Sequence, residues 1–146
     1  MKKIGIIGGL GPESTLDYYK RLMSRFMTDH HAEAYPEIII YSADIHQLLR
    51  MMEARQWDLL AEWLVARVQA LHRAGAEFAV IASNTPHIAF DEVSARSPIP
   101  MLSIVEETCG VIEKRGLKRP GLLGTRFTMQ SDFYQKALQK RGRSLA

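Results

Sequence analysis

Residues 3–12 read Lys3-Ile4-Gly5-Ile6-Ile7-Gly8-Gly9-Leu10-Gly11-Pro12. A short apolar run ends here in closely spaced glycines and a proline. The run from Ile4 to Ile7 does not alternate polar with apolar, which reads as a strand buried on both faces. The glycines permit positive φ and let the backbone approach a neighbour or a ligand closely. Pro12 and Glu13 suit the first turn of a helix, so the segment predicts strand, tight turn, helix. Two further runs have the same continuous character, Ile38 to Ile40 and Phe78 to Ala82. Between them Leu16, Tyr19, Met23 and Phe26 recur at helical spacing. Leu60, Leu64, Val68 and Leu71 form a second stripe, with Gly75 as its stop. Strands are expected over 3–7, 37–43, 77–82, 100–103 and 119–123. Later helices are expected over 104–114, ending at Gly116, and over 129–140, ending at Gly142. Strand alternating with helix predicts a doubly wound α/β fold, a parallel sheet flanked by helices.

Composition agrees with a globular domain. The chain has 146 residues, 47% of them hydrophobic and 24% charged. Its apolar runs fall well short of the roughly 18 residues of a membrane span, and the apolar start runs directly into turn glycines, unlike a signal peptide. A cytoplasmic protein is therefore expected. One cysteine, Cys109, excludes an internal disulfide framework and a cysteine-based zinc site. It falls on the 104–114 helix and reads as a small buried residue. His30-His31 has no carboxylate or thiol at ligand spacing, so no metal site is expected. From Lys114 onward nine Lys/Arg face one acid, Asp132, whereas the preceding part carries ten bases and fifteen acids. Without interleaved aromatics or a nucleic-acid motif, that basic end reads as a solvated face and not as a nucleic-acid surface.

In open α/β sheets ligands bind beyond the carboxyl ends of the strands. Three turns there carry small or polar residues: Gly8-Gly9-Leu10-Gly11-Pro12, Ser83-Asn84-Thr85-Pro86-His87 and Gly124-Thr125-Arg126-Phe127-Thr128. The glycine spacing matches neither G-x-G-x-x-G nor a P-loop. In the second turn Thr85 is placed to cap a helix that starts at Pro86, leaving free N–H groups toward a carboxylate or phosphate. Ser83 and Asn84 add a hydroxyl and an amide. The plainer alternatives are a tight turn and a well-capped helix without a ligand. His87 reads as a packing or capping histidine. Arg50 and Arg55 follow the second strand and could clamp a second carboxylate.

The segments IGIIGGLGPESTLDYY, AGAEFAVIASNTPH and RPGLLGTRFTMQSDFY together resemble the aspartate/glutamate racemase family, from Lys3 to about Gly142. The resemblance implies two similar α/β lobes with the substrate amino acid between them and no pyridoxal phosphate or other cofactor. Residues 1–115 would form the first lobe and 116–146 the start of an incomplete second one. It implies a thiol on each face of the α-carbon, one removing the proton and the other returning one. Carried over by position, Ser83 takes the place of the first cysteine as the catalytic group. Asn84, Thr85 and Thr125 would bind substrate, and Arg50 would clamp a side-chain carboxylate. The family also suggests a homodimer. Two departures bear on activity: Ser83 is not a thiol, and the second cysteine belongs to a GCTE-like segment absent from this sequence. These give three readings: an aspartate- or glutamate-type racemase, a silent dicarboxylate-binding module, and a single-thiol decarboxylase. A lone lobe would also expose Leu122, Leu123, Phe127 and Phe133, making the protein prone to associate.

Overall fold

The computed structural model describes residues 1–29 and 35–146; the His30-His31 pair lies outside them. Four parallel strands form one sheet in the order β2-β1-β3-β4: β1 Ile4–Gly8, β2 Ile38–Ser42, β3 Phe78–Ile81 and β4 Met101–Leu102. Helix α1 (Pro12–Asp29) lies on one face, while α2 (Ile45–Glu53) and α3 (Trp57–Arg73) pack on the other. A 3-10 turn at Thr85–Ala89 leads into α4 (Phe90–Arg96), followed by α5 (Ile104–Lys114), α6 (Arg126–Gln130) and α7 (Phe133–Gln139). The chain leaves β1 for β2 on one side and returns to β3 on the other. The switch point of the sheet therefore lies between the carboxyl ends of β1 and β3, the position such sheets use for ligands.

Every residue of β1 is buried, as its unbroken apolar run requires. Ile7, Ala79 and Ile81 meet Leu60, Leu64, Val68 and Leu71 of α3, all buried, on the larger cluster. Gly75 closes α3 at φ 100°. Burying such side chains is worth roughly 1.5–3 kcal/mol each.

The second run belongs at an edge. β2 pairs with β1 alone, and Ile40 and Tyr41 are 40% and 37% exposed. A continuous apolar run does not by itself distinguish a central strand from an edge strand. In α1 the inward face is Thr15, Tyr18 and Leu22, whereas Leu16 and Tyr19 of the expected stripe are 69% and 46% exposed. The rotation of this helix is set by its first turn. A Cβ on Gly8 would lie 2.5 Å from Thr15 Cγ2, and Thr15 Oγ1 accepts the Gly9 N–H at 2.9 Å.

The expected strand over 119–123 does not join the sheet. Its backbone instead meets the C-terminal end, with Ser144 N–H donating to Lys118 and Ala146 N–H to Pro120. The helix expected over 129–140 is two helices broken at Ser131, whose hydroxyl donates to the Phe127 carbonyl at 2.6 Å. Serine side chains compete in this way for helical backbone partners. Tyr134, Ala137 and Leu138 of α7 pack with Val105 and Cys109 of α5 in a separate cluster, and Leu122 and Phe133 close over it. Phe127 packs on the larger core, so of the four residues expected to be exposed only Leu123 stands clear, at 91%. Arg141 ties the two helices at the surface through Glu106 and Glu113, at 2.8 and 2.9 Å.

Leu64 is wholly buried at the centre of the α3 stripe. Leu64→Ala is expected to lower unfolding stability by about 2–5 kcal/mol. Urea titration followed by circular dichroism measures this; a loss below about 1 kcal/mol would show that α3 is not central to the core.

Candidate functional site

The turns after β1 and β3 are held against each other by the backbone. Ala82 N–H donates to the Ile7 carbonyl and Ala43 N–H to the Gly8 carbonyl, both at 2.9 Å. Gly9 has φ 76°, and a Cβ there would lie 2.4 Å from the Ala43 carbonyl oxygen, so only glycine lets the turns after β1 and β2 meet. Ser14, in the first turn of α1, adds a side-chain link. Its Oγ lies 2.7 Å from the Gly11 carbonyl and 2.6 Å from the Ala82 carbonyl, sharing one proton between two acceptors.

From this edge the chain enters the Ser83-Asn84-Thr85 turn. Asn84, not Thr85, takes the cap position of the 3-10 turn, and no side chain caps it. The expected cap fails because the Thr85 hydroxyl is turned away from the helix. It lies 3.1 Å from Thr125 Oγ1 and 3.3 Å from Thr128 Oγ1, and those two are 3.2 Å apart. Three hydroxyls can close such a ring with one proton each. Thr125 also caps α6, accepting the Thr128 N–H at 3.3 Å. Asn84 is joined to the same region from below, where its Oδ1 accepts the Tyr134 hydroxyl at 2.6 Å.

The structure thus brings Asn84, Thr85 and Thr125 to one place, next to Ser83. Arg50 stands apart on an exposed part of α2, six residues past its cap Asp44 and about 9 Å along the axis. It takes no part in the hydrogen bonds joining the others. Thr128, Tyr134 and Ser14 were not singled out from sequence. The Thr-x-x-Thr spacing after Gly124 was the available signal for Thr128; Tyr134 carried none. A groove of about 430 Å³ beside His87 and Phe90 is not lined by Ser83, Asn84, Thr85 or Thr125.

His87 is buried and fully engaged. Its Nδ1 lies 2.9 Å from the Ser83 carbonyl and its Nε2 lies 3.2 Å from the Ile104 N–H. A proton on Nδ1 donates to the carbonyl while the Nε2 lone pair accepts at the start of α5. The ring stacks on Phe90 at 5.0 Å. Burial pushes its pKa down to about 4, against smaller opposing effects of backbone bonds to Ser83 and Asn84. The ring is a neutral brace between the ends of β3 and β4, and it meets the carbonyl of Ser83 instead of activating the hydroxyl. Cys109 is buried between α5 and α7, and burial, followed by Glu106, raises its pKa.

The profile of the Asp/Glu/hydantoin racemases matches residues 7–145. The chain belongs to that family. It is 30% identical over 145 residues to the broad specificity amino-acid racemase RacX of Bacillus subtilis (strain 168), covering 97% of this chain and 63% of that one. Its fold superposes on PH1733, an aspartate racemase homologue from Pyrococcus horikoshii OT3, with a TM-score of 0.87 and 42% identity. The aspartate racemase of Picrophilus torridus follows at a TM-score of 0.79 and 27% identity. All of this chain is covered in both superpositions, against 64% and 62% of the two relatives. The chain therefore spans slightly under two thirds of the length of these relatives.

A buried His87 with lowered pKa makes stability pH-dependent. The unfolded state, titrating near 6.5, binds the proton more readily than the folded state, so stability is full above pH 6.5 and falls as pH drops toward 4. The loss is on the order of 3 kcal/mol for a shift of this size. Urea midpoints from pH 4 to 7.5 should show this slope in the wild type and a flatter one in His87→Gln. Equal slopes would refute the assignment.

Proposed function

We propose that the protein acts in amino-acid racemisation or epimerisation of the aspartate/glutamate type, by acid/base proton transfer at the substrate α-carbon without pyridoxal phosphate. The observation that carries this reading is the convergence of Ser83, Asn84, Thr85 and Thr125 at the strand-end switch point of a racemase-family fold. In this reading Ser83 faces one side of the α-carbon. Asn84, Thr85 and Thr125 bind the amino acid, the α-carboxylate meeting the Asn84 amide and, as the ligand opens the threonine ring, the threonine O–H donors as negative charge develops. Arg50 is assigned to the side-chain carboxylate and would have to swing toward the turns to reach it. Residues 1–115 would act as one lobe and 116–146 as the opening of another, the site lying where they meet. A small dicarboxylic amino acid is the partner proposed, in the cytoplasm, with a homodimer as the assembly.

One feature favours a second reading, a dicarboxylate-binding module without turnover. The neighbouring imidazole is committed to the Ser83 carbonyl and the Ile104 N–H. A hydroxyl with no activating base removes an α-proton poorly, whereas a thiol titrates near 8.5 unaided.

Proton exchange in heavy water decides between the two. The protein is incubated separately with L- and D-aspartate and L- and D-glutamate, and α-proton loss is followed by NMR. Washout from one enantiomer, abolished in Ser83→Ala and raised by about 10²-fold or more in Ser83→Cys, is the expected result. Washout from both enantiomers would require a second acid/base group in this chain. Saturable aspartate binding by calorimetry without washout, Ser83→Cys included, would establish the binding module instead.

A further inference from the structure

Asn84 reaches the site with one end of its amide already spoken for. Tyr134 lies in the cluster between α5 and α7, its ring packed beside Phe133 at 5.3 Å and the residue only 6% exposed. Its hydroxyl donates to Asn84 Oδ1 at 2.6 Å. The contact joins positions fifty residues apart, so it forms only when α7 is docked. Asn84 itself is exposed. An amide free to rotate about its last torsion presents both an acceptor oxygen and a donor NH2 group, and can meet either a carboxylate or an ammonium. With Oδ1 held from the buried side, the Nδ2 group is left for solvent and ligand.

We propose that Tyr134 is a positioning residue that fixes the Asn84 amide with its NH2 group outward, making it a donor for a substrate carboxylate. This rests on the reading of the Ser83-Asn84-Thr85 turn as an amino-acid site. The assignment gives α7 a part in recognition without touching the ligand. It also divides labour at the site: the threonine hydroxyls, bonded to one another, donate to a ligand only by opening their ring, while Asn84 offers its donors directly. Removing the phenol oxygen should leave the cluster packed, since phenylalanine keeps the ring, but release the amide to turn.

The test uses the 146-residue chain labelled with 15N, the Asn84 side-chain signals being assigned by their loss in Asn84→Asp. Without ligand, the wild-type Asn84 NH2 group is expected to be ordered. In Tyr134→Phe its order parameter should fall into the flexible range, below about 0.6, while backbone signals away from the 3-10 turn and α7 stay in place. L-aspartate and succinate, the latter a dicarboxylate without an amine, are then titrated. Both should bind Tyr134→Phe at least about tenfold more weakly than the wild type, and Asn84→Asp more weakly still. A mobile Asn84 amide in the wild type, or an unchanged order parameter in Tyr134→Phe, overturns the proposal without reference to any ligand. The wild-type measurement holds even if that variant fails to fold. A mobile amide with undiminished affinity overturns the carboxylate-donor role. Failure of the wild type to bind either titrant, with the order parameters behaving as expected, overturns the amino-acid-site reading and the donor role that rests on it, while the positioning stands.

Discussion

Much of this structure follows from how closely α1 is drawn onto the end of β1. Gly8 has no side chain because Thr15 occupies its place, and the Thr15 hydroxyl takes up the Gly9 N–H that the turn would otherwise leave unpaired. A buried amide without a partner would cost on the order of 1–3 kcal/mol, comparable with burying one large apolar side chain. That single contact settles the rotation of α1. Tyr18 and Leu22 then face the sheet, and Leu16 is sent to the surface despite its size. Ser14, one residue earlier, is thereby aimed at the Ala82 carbonyl, so the turn after β3 is referenced to the turn after β1. A local constraint on two glycines propagates to the part of the molecule where the candidate residues stand.

The elements most legible in sequence were those whose burial is total. β1 and the α3 stripe touch core on every relevant face, and their residue pattern has little freedom to mean anything else. β2 misled because edge and centre differ in what lies beside a strand, not in its own residues. The segment over 119–123 misled for a related reason. A strand exists only with a ladder partner, and here the backbone groups pair with the chain end. The α1 stripe failed where polar satisfaction at a turn outweighed hydrophobic periodicity.

The grouping of the candidate residues was legible in a similar, partial way. Small and hydroxyl residues at strand ends stood out, and Asn84, Thr85 and Thr125 do come together. What could not be read was how their hydrogen-bonding capacity is spent. Thr85 was free in sequence to cap a helix; in three dimensions its hydroxyl joins Thr125 and Thr128, and the helix begins without it. Tyr134 lies fifty positions from Asn84, and no local pattern connects them. Side-chain hydrogen bonds of this range are decided by docking of whole elements, here α7 on α5.

The same accounting bears on the chemistry open to Ser83. A general base must hold a lone pair toward the proton it removes. His87 spends its Nδ1 on the Ser83 carbonyl and its Nε2 on the Ile104 N–H, linking the ends of β3 and β4. Turning the ring to serve the hydroxyl would break two partly buried bonds. It would also require an imidazole held at a pKa of about 4 by burial to take up a proton. A serine in this setting is a weak acid/base group in both directions, so exchange through it is slow. A thiol at the same point would need no help from the histidine, since its own pKa near 8.5 supplies the thiolate. The brace that makes His87 valuable to the fold is therefore compatible with a cysteine at position 83 and unhelpful to a serine. Any proton exchange at this turn should be confined to one face of the substrate, unless a base from elsewhere attends the other.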